Sequence, residues 1–452
     1  MKKNRVLYNS QAVYIGPSPA SGYHFINDGG QTNNSIEYSP TNYNLIKRIN
    51  GVTNFDYNIT IPREEFKQLG KSKIADNTII NSPTVEVNFE YYLNGITNEA
   101  RMGWNVNHQY KDYFRSGQLV YPDNFSNFIF SGLNTFDTNQ PASASPFWPG
   151  DNRSSKNIFL SLAYKENEDQ VDKPETGVNP GIKQTNTICF GDGYMSSYDT
   201  SCSVGETPKA KVGFTCDNII FYTGNSGLGI PSINPKTREN FDNIKFVLPN
   251  EKIVQDISII LPGDITIDIQ QTGNATSLSM DNITEFGVQF NDIKIQNYSI
   301  GIKFDRENMN SIGYKAPASR RINFPVPINF SLSTIVGEES TANLADQIKK
   351  DDKYNITLRM KDRFTKQDLV RYDFRKAALQ SYDYSSSIQQ ERRLNMTFKI
   401  NATPDDLTEA FFVSGQFSNL SEANNILVIE DGSILVTEDF LDSFILNLVP
   451  IY

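Results

Sequence analysis

Alternating apolar and polar residues are the commonest pattern along the chain. Residues 84–91, Thr-Val-Glu-Val-Asn-Phe-Glu-Tyr, place Val85, Val87, Phe89 and Tyr91 on one face and polar residues on the other. This period of two is typical of a β-strand with one buried face. Three further stretches alternate in the same way: residues 54–61, 212–216 and 394–400.

Helical periodicity is rare in this chain. We expect only two short helices, at residues 63–69 and 342–350, so the predicted fold class is all-β with minor helices. Near the C-terminus, residues 425–437 read as two short strands around Asp431-Gly432, a dipeptide that favours the tight turn of a β-hairpin. A C-terminal hairpin and arm are therefore expected over residues 403–452.

One block of sequence occurs twice. Residues 55–70 share their apolar alternation, an Arg-Glu pair and a final glycine with residues 298–313. The offset is constant across the block, since 306 − 63 and 313 − 70 both equal 243. The next strand, with Val85, matches the strand that begins at Val326 at an offset of 241. Alternation alone would not reproduce the Arg-Glu pair and the glycine, so the match indicates an internal duplication.

A second block supports the same duplication. Residues 197–199, Ser-Tyr-Asp, match residues 381–383, and the strand that follows each of them also matches, at an offset of 184. The first copy therefore holds 59 more residues between its blocks, since 243 − 184 = 59. We assign the excess to a long inserted loop around residues 124–181, where the composition is typical of a loop.

These matches predict two tandem domains, each a β-sandwich or β-barrel. The first spans residues 1–223 and contains the insertion, and the second spans residues 292–402. Residues 224–291 join them as a β-rich segment, which is either a small extra element or the opening strands of the second domain.

The composition is that of a globular protein of 452 residues, with 38% hydrophobic and 21% charged residues. No apolar run approaches the roughly 18–20 residues of a transmembrane helix, and no secretory signal is recognisable, so we expect a cytosolic protein with no membrane segment. The net charge of −10 argues against a surface that grips nucleic acid, because phosphate binding relies on lysine and arginine.

Residues suited to catalysis do not stand in recognisable motifs. His24 and His108 lie in unrelated regions, and neither belongs to a phosphate-loop, metalloprotease or EF-hand pattern. Cys189, Cys202 and Cys216 fit no zinc spacing and are a poor basis for a disulfide framework. We therefore predict a non-enzymatic protein without a cofactor or metal ion. A glycan hydrolase stays an alternative, because its two carboxylates have no local sequence signature.

The repeated block resembles a known family. The alternating strand at 55–61, the Arg-Glu-Glu segment that follows, the Leu-Gly turn at 69–70 and the strand over 82–89 look like bacteriophage tail tube proteins. Residues 204–214, Val-Gly-Glu-Thr-Pro-Lys-Ala-Lys-Val-Gly-Phe, look similar too. The tandem layout is similar to tail tube proteins of long-tailed phages in which one chain holds two tube domains. The long insertion departs from the simpler family pattern.

The resemblance implies a structural role in a phage tail. Three chains would form a pseudo-sixfold ring, rings would stack into a tube, and double-stranded DNA would pass through the lumen without sequence-specific binding. Other tail proteins would be partners, the implied location is the virion, and assembly would take place in the host cytoplasm. The insertion would lie outside the ring or between rings. A baseplate hub or another tail-tip ring, and a receptor-binding or adhesin module, are the alternatives.

Six residues are candidates for function in such a ring. Glu86 and Glu90, on the polar face of the strand at 84–91, are expected on or near the channel wall, where acidic and neutral groups would offer DNA phosphates no cation. The pairs Arg63-Glu64 and Arg306-Glu307 recur in both copies. They are expected either at contacts between subunits or as the charge pattern of a first helical turn.

Overall fold

The structure of the chain is a computed structural model, and its fold is built almost entirely from β-strands, as the alternation predicts. The residues that it describes are 11–18, 46–67, 69, 74–79, 83–102, 104, 155–163, 185–222, 228–233, 240–246, 248, 260–271, 294–309, 317, 319–335, 353–385, 393–403, 411–416, 426–428 and 434–436.

The first half of the chain contributes twelve of the described strands and one short helix, α1 (Thr97–Arg101). The strands, in chain order, are β1 (Gln11–Pro17), β2 (Lys47–Arg48), β3 (Val52–Thr60), β4 (Arg63–Lys67), β5 (Ile74–Ile79), β6 (Thr84–Tyr92), β7 (Lys156–Ala163), β8 (Thr185–Ser203), β9 (Lys209–Cys216), β10 (Asn218–Tyr222), β11 (Leu228–Ile233) and β12 (Asn240–Phe246).

The second half contributes eleven described strands, preceded by a 3-10 turn at Pro262–Asp264. The strands, in chain order, are β13 (Ile265–Gln271), β14 (Lys294–Lys303), β15 (Arg306–Met309), β16 (Ser319–Ile322), β17 (Val326–Ile335), β18 (Lys353–Lys361), β19 (Asp368–Ser385), β20 (Arg393–Ala402), β21 (Phe411–Gly415), β22 (Ile426–Val428) and β23 (Ile434–Val436).

The four strands predicted from alternation are present as β3, β6, β9 and β20. In β6 the alternation matches burial directly, since its four apolar side chains at 85, 87, 89 and 91 are buried and Glu86 between them is exposed. β22 and β23 pair antiparallel on either side of the predicted C-terminal turn. The helix predicted at 342–350 lies outside the described residues.

The helix predicted at 63–69 is wrong. Residues from Arg63 to Lys67 form the strand β4, which pairs antiparallel with β5, and Arg306 to Met309 form the strand β15, which pairs with β16. Two acidic residues after a proline are typical of a helix start, but a segment of five residues has little helix stability of its own. Pairing with a second strand therefore decides the conformation.

Strands from both predicted domains join one sheet of fifteen strands. The connection between the halves is the antiparallel pairing of β8 with β14. A single hydrophobic cluster includes buried side chains of both halves, among them Phe89 and Phe214 of the first and Phe330 and Phe398 of the second. Sheet and core are therefore continuous across the predicted domain boundary.

The order of strand pairing is the same in the two halves. In the first, β1 pairs with β7, β7 with β8, β8 with β9, β9 with β6 and β6 with β3. In the second, the same positions are taken by β13, β18, β19, β20, β17 and β14. β10 on β8 corresponds to β21 on β19, and the hairpin β4–β5 to the hairpin β15–β16. This common order supports the predicted duplication.

The long strands β8 and β19 depart from a regular extended strand at matching places. Asp192 and Lys376, which are 184 residues apart, both have a φ of 52°, a value that few non-glycine residues adopt. Register shifts in the pairing with the next strand follow at Met195/Ser197 in β8 and at Leu379/Ser381 in β19. Each long strand bends at this place, and its two parts pair with different neighbouring strands.

The predicted insertion at 124–181 is not one loop. It contains β7, which pairs with β1 and β8 and has the place in the first half that β18 has in the second. The extra residues of the first half lie in two connections, 93–155 and 164–184, on either side of β7. Most of these two connections lies outside the described residues. Within 224–291, β13 has the place of an opening strand, whereas β11 and β12 form a separate two-stranded sheet.

Candidate functional site

Eight strands of the sheet lie side by side in the order β3-β6-β9-β8-β14-β17-β20-β19. Their apolar side chains point to the core. The opposite side, here called the polar face, consists mainly of serine, threonine and asparagine side chains. Charged residues on it include Asp56, Glu86, Glu90, Asp199, Lys209, Lys211, Lys303, Asp383, Arg393 and Lys399.

Glu86 and Glu90 both lie on the polar face, as the alternation of β6 requires. Glu86 is exposed, and Glu90 is partly covered because its carboxylate accepts a hydrogen bond from Lys209 Nζ at 2.7 Å. That this face lines a channel stays a prediction.

Cations share the polar face with the acids. Of the ten charged residues named above, five are acidic and five are basic. Burial raises the pKa of Asp199, while Lys211 and Lys303 nearby partly offset that rise. The expectation that this face offers phosphate no cation is therefore wrong, because a net charge of −10 for the chain does not locate the lysines.

Strand register corrects the sequence alignment of β6 with β17. Phe55 pairs with Phe89 in the first half, and Tyr298, at offset 243 from Phe55, pairs with Leu332 in the second. Leu332 is therefore the counterpart of Phe89, so the offset is 243 and not 241. A shift of two residues keeps every side chain on its own face, so alternation alone cannot detect it. The counterparts of Glu86 and Glu90 become Asn329 and Ser333.

The two Arg-Glu pairs lie in different surroundings. Arg63 and Glu64, on β4, are exposed. Arg306, on β15, is mostly buried and donates a hydrogen bond from Nε to the carbonyl oxygen of Met195 at 3.3 Å, whereas its neighbour Glu307 is exposed. The contact of Arg306 thus lies between the two halves of one chain. A role for these four residues between subunits stays a prediction.

A buried polar cluster, here called the junction cluster, joins the hairpin β15–β16 to the first half. Arg306 and Arg320 lie over the ring of Tyr194, with 5.1 and 5.5 Å between each guanidinium carbon and the ring centroid. Arg320 also pairs with the carboxylate of Asp217. Burial lowers the pKa of Arg306 to about 10 and raises the pKa of Asp217 to about 6. The positive charge of Arg320 opposes the rise in the pKa of Asp217.

A second buried cluster surrounds Glu99 of α1. The hydroxyls of Tyr91 and Tyr198 donate to Glu99 Oε1 at 2.8 and 3.0 Å, and the hydroxyls of Tyr198 and Tyr372 lie 2.8 Å apart. Tyr372 belongs to β19, so this cluster also connects the two halves. Burial is the largest cause of a rise in the pKa of Glu99, and the tyrosine hydrogen bonds partly oppose it.

Replacing Glu99 by glutamine should stabilise the protein more at pH 8 than at pH 4. Because the pKa of Glu99 is raised in the folded state, its contribution to stability is present below the ordinary value of 4.5 and is lost as the pH rises through the raised value. Glutamine has no proton to lose. Urea unfolding at both pH values measures the difference, with the exposed Glu86→Gln as the control. Equal effects of Glu99→Gln at both pH values would contradict the expectation.

Sequence reasoning did not find Tyr194, Asp217, Arg320 or Glu99. Arg320 and Asp217 are 103 residues apart and belong to no motif. The available sequence signal for a buried polar cluster was a charged residue next to an apolar strand. This signal is weak, because most such charged residues are exposed. Only the pairing of β8 with β14 brings the two segments together.

The described residues contain no group of three or more His, Cys, Asp and Glu side chains placed to hold a metal ion. Cys189, Cys202 and Cys216 are buried, and burial raises the pKa of each thiol, which disfavours the reactive thiolate. His24 and His108 lie outside the described residues. None of the helices in the described part has the length and apolar character that crossing a membrane requires.

No protein-family model and no curated protein matches the chain. Among solved structures, the chain is similar to a chain of the anti-feeding prophage baseplate, with 9% sequence identity and a TM-score of 0.23, over 33% of this chain and 92% of the other. A likeness this slight supports no argument about function.

Proposed function

We propose that this chain is a structural subunit of a bacteriophage tail, that three copies close into a ring, and that rings stack into the tail tube. The observation behind the proposal is the sheet of eight strands, which has matching halves and open ends. Heterologous contacts between such ends close into a ring when the rotation is right. Closure also removes both exposed sheet edges.

The size of such a ring suits the passage of DNA. Three chains with eight strands each make a barrel of about 24 strands, spaced about 4.8 Å apart and tilted by roughly 40°. Its diameter between backbones is about 48 Å, of which about 38 Å stays open when side chains of about 5 Å cover each wall. A DNA duplex fits this opening.

In this proposal the polar face is the channel wall. Serine, threonine and asparagine side chains leave it well hydrated, and the paired Glu90 and Lys209 bring opposite charges close together. A wall of mixed sign has no basic patch for the regular row of phosphates. The role is structural rather than enzymatic. The site of action is the virion, after assembly with other tail proteins in the host cytoplasm.

A baseplate hub or tail-tip ring would use the same ring of three chains. Copy number separates the two roles, because a hub forms one ring and a tube forms many stacked rings.

We expect native mass spectrometry of the assembled protein to give three chains per ring, and negative-stain images to show stacked rings. The reason is that each chain supplies two matching halves of a sixfold arrangement. Single rings that never stack would favour the hub. Rings of six chains would contradict the proposed arrangement.

A further inference from the structure

Each end of the eight-strand sheet has an edge without a neighbour among the described strands. β3 pairs with β6 on one side, and no other described strand pairs with it. Along this edge Tyr57, Ile59 and Ile61 are 38%, 39% and 46% exposed. At the far end, residues 381–385 of β19 pair with β20 alone among the described strands, and Tyr384 is 56% exposed. Open edges with exposed apolar side chains favour the addition of another strand.

The same kind of edge is closed inside the chain. β14, the counterpart of β3, pairs with the C-terminal part of β8, the counterpart of residues 381–385. The counterparts of Tyr57, Ile59 and Ile61 are Ile300, Ile302 and Phe304, which are only 1%, 0% and 3% exposed. Where this edge is paired, as β14 is with β8, the same three side-chain positions are therefore completely buried.

From this we infer that β3 of one chain pairs antiparallel with residues 381–385 of β19 in a second copy of the chain, as β14 pairs with β8. The inference deepens the proposed ring and rests on it. In β14 and β8 the partners include Ile300 opposite Thr200 and Gly301 opposite Asp199. Subtracting 243 from each β14 residue and adding 184 to each β8 residue gives the corresponding pairs between chains. These are Tyr57 opposite Tyr384 and Asn58 opposite Asp383.

This register suits the charges on the polar face. Asp56 lies opposite Ser385 and Thr60 opposite Ser381, so no two like charges face each other across the new pair. Like charges directly opposite would destabilise the pairing. On the core side, the apolar positions of β3 meet Tyr382 and Tyr384 of the second copy.

The hairpin β4–β5 adds a second contact. Its counterpart β15–β16 rests on the first half through Arg306 and the carbonyl oxygen of Met195. In β4, Arg63 takes the place of Arg306, and Phe66 nearby is 46% exposed. By the same two offsets, the hydrogen bond from Arg306 to Met195 corresponds to one from Arg63 to the carbonyl oxygen of Leu379 in the second copy.

The contact between chains differs in chemistry from the contact within the chain. By strand register, Asn77 takes the place of Arg320, Ala378 that of Tyr194, and Asn401 that of Asp217. Of the charged members of the junction cluster, only Arg306 thus has a charged counterpart between chains, Arg63. Because Asp217 needs an arginine at the place of Arg320, where the hairpin β4–β5 has Asn77, β3 is a poor replacement for β14 on β8. This difference enforces the alternation of first and second halves around the ring.

Disulfide formation between cysteines tests the register. A Tyr57→Cys/Tyr384→Cys variant should convert, on mild oxidation, from single chains to covalent trimers on a non-reducing gel, while each single substitution should not. Residues directly opposite in an antiparallel pair have Cα atoms about 4.5–5.5 Å apart, which a disulfide can span. The native cysteines are buried and provide a constant background.

Two further variants complete the test. Asn58→Cys/Asp383→Cys places a directly opposite pair on the polar face and should also cross-link, whether or not the first pair disturbs assembly. Tyr57→Cys/Asp383→Cys is one residue out of register, on opposite faces, and should not. Failure of both in-register pairs, or equal linkage of the offset pair, would overturn the inference. If rings form but the in-register cysteine pairs do not cross-link, the strand pairing is refuted and the ring is not. If the in-register pairs cross-link into open chains and no rings form, the ring is refuted and the strand pairing is not.

Discussion

Asp217→Ala is expected to lower the free energy of unfolding by about 3–5 kcal/mol, because it leaves Arg320 buried without its carboxylate. The side chains of Arg320 and Asp217 are only 6% and 9% exposed, so water cannot replace the lost partner. Arg306 lies beside the same Tyr194 ring and brings a second positive charge close to the first.

Removing both charges should be far less harmful. Burial raises the pKa of Asp217 to about 6 although Arg320 opposes the rise, so ionising Asp217 costs more in the folded chain than in the unfolded chain. The part of its stability contribution that depends on protonation is therefore full below its ordinary pKa of 3.8 and is lost as the pH rises through about 6, whereas the hydrogen bond from Arg320 is made in both forms. An apolar pair of similar volume, Asp217→Leu/Arg320→Met, should be close to neutral or stabilising at pH 7.

Urea unfolding followed by tryptophan fluorescence measures both variants at one fixed protein concentration. Trp104 is buried against Tyr198, with 4.6 Å between ring centroids, and so reports on the core near the junction of the two halves. If the single Asp217→Ala variant were as stable as the double variant, the carboxylate would not be needed to compensate Arg320. The structural importance of the junction cluster would then be refuted.

Phe330→Ala should also destabilise the protein by about 3–5 kcal/mol, the usual range for a fully buried phenylalanine. Phe330 is 1% exposed and packs between two rings, with centroid distances of 5.1 Å to Phe374 and 6.3 Å to Phe398. The truncation leaves a cavity that the neighbouring rings of β19 and β20 can fill only in part.

The matched control for Phe330→Ala is Phe364→Ala. Phe364 lies in the same half of the chain and is 89% exposed, so its truncation should change stability by less than about 0.5 kcal/mol. Urea unfolding of both variants gives the comparison. Similar values for the two would mean that the ring of Phe330 does not lie in a packed core.

The strands could be predicted because burial on one face imposes a period of two on the sequence. In β6 and β20 this signal extends over the whole strand, and both lie where the alternation places them. The hairpin β4–β5 could not be predicted from the local pattern. It has too few residues for a period to emerge, and its conformation depends on a partner strand that begins several residues later.

The polar face could be anticipated in part. The positions of Glu86 and Glu90 follow from the alternation of β6, but the lysines that neutralise the face come from β9, β14 and β20, whose places in the sheet the sequence does not state. The offset of 241 in place of 243 has the same origin. Alternation defines the face on which each residue lies, but a shift of two residues along the strand leaves that face unchanged.

The sequence by itself determined the all-β class, the faces of the main strands and the two repeated blocks, because each is a local pattern. Only the tertiary structure decided which strands are neighbours. It placed β14 on β8, placed Arg306 and Arg320 over Tyr194, and left β3 and the end of β19 without a second neighbour among the described strands. The physical reason is that strand pairing relies on backbone hydrogen bonds, which are nearly the same for every residue, so the choice of neighbour depends on packing between residues far apart in the chain.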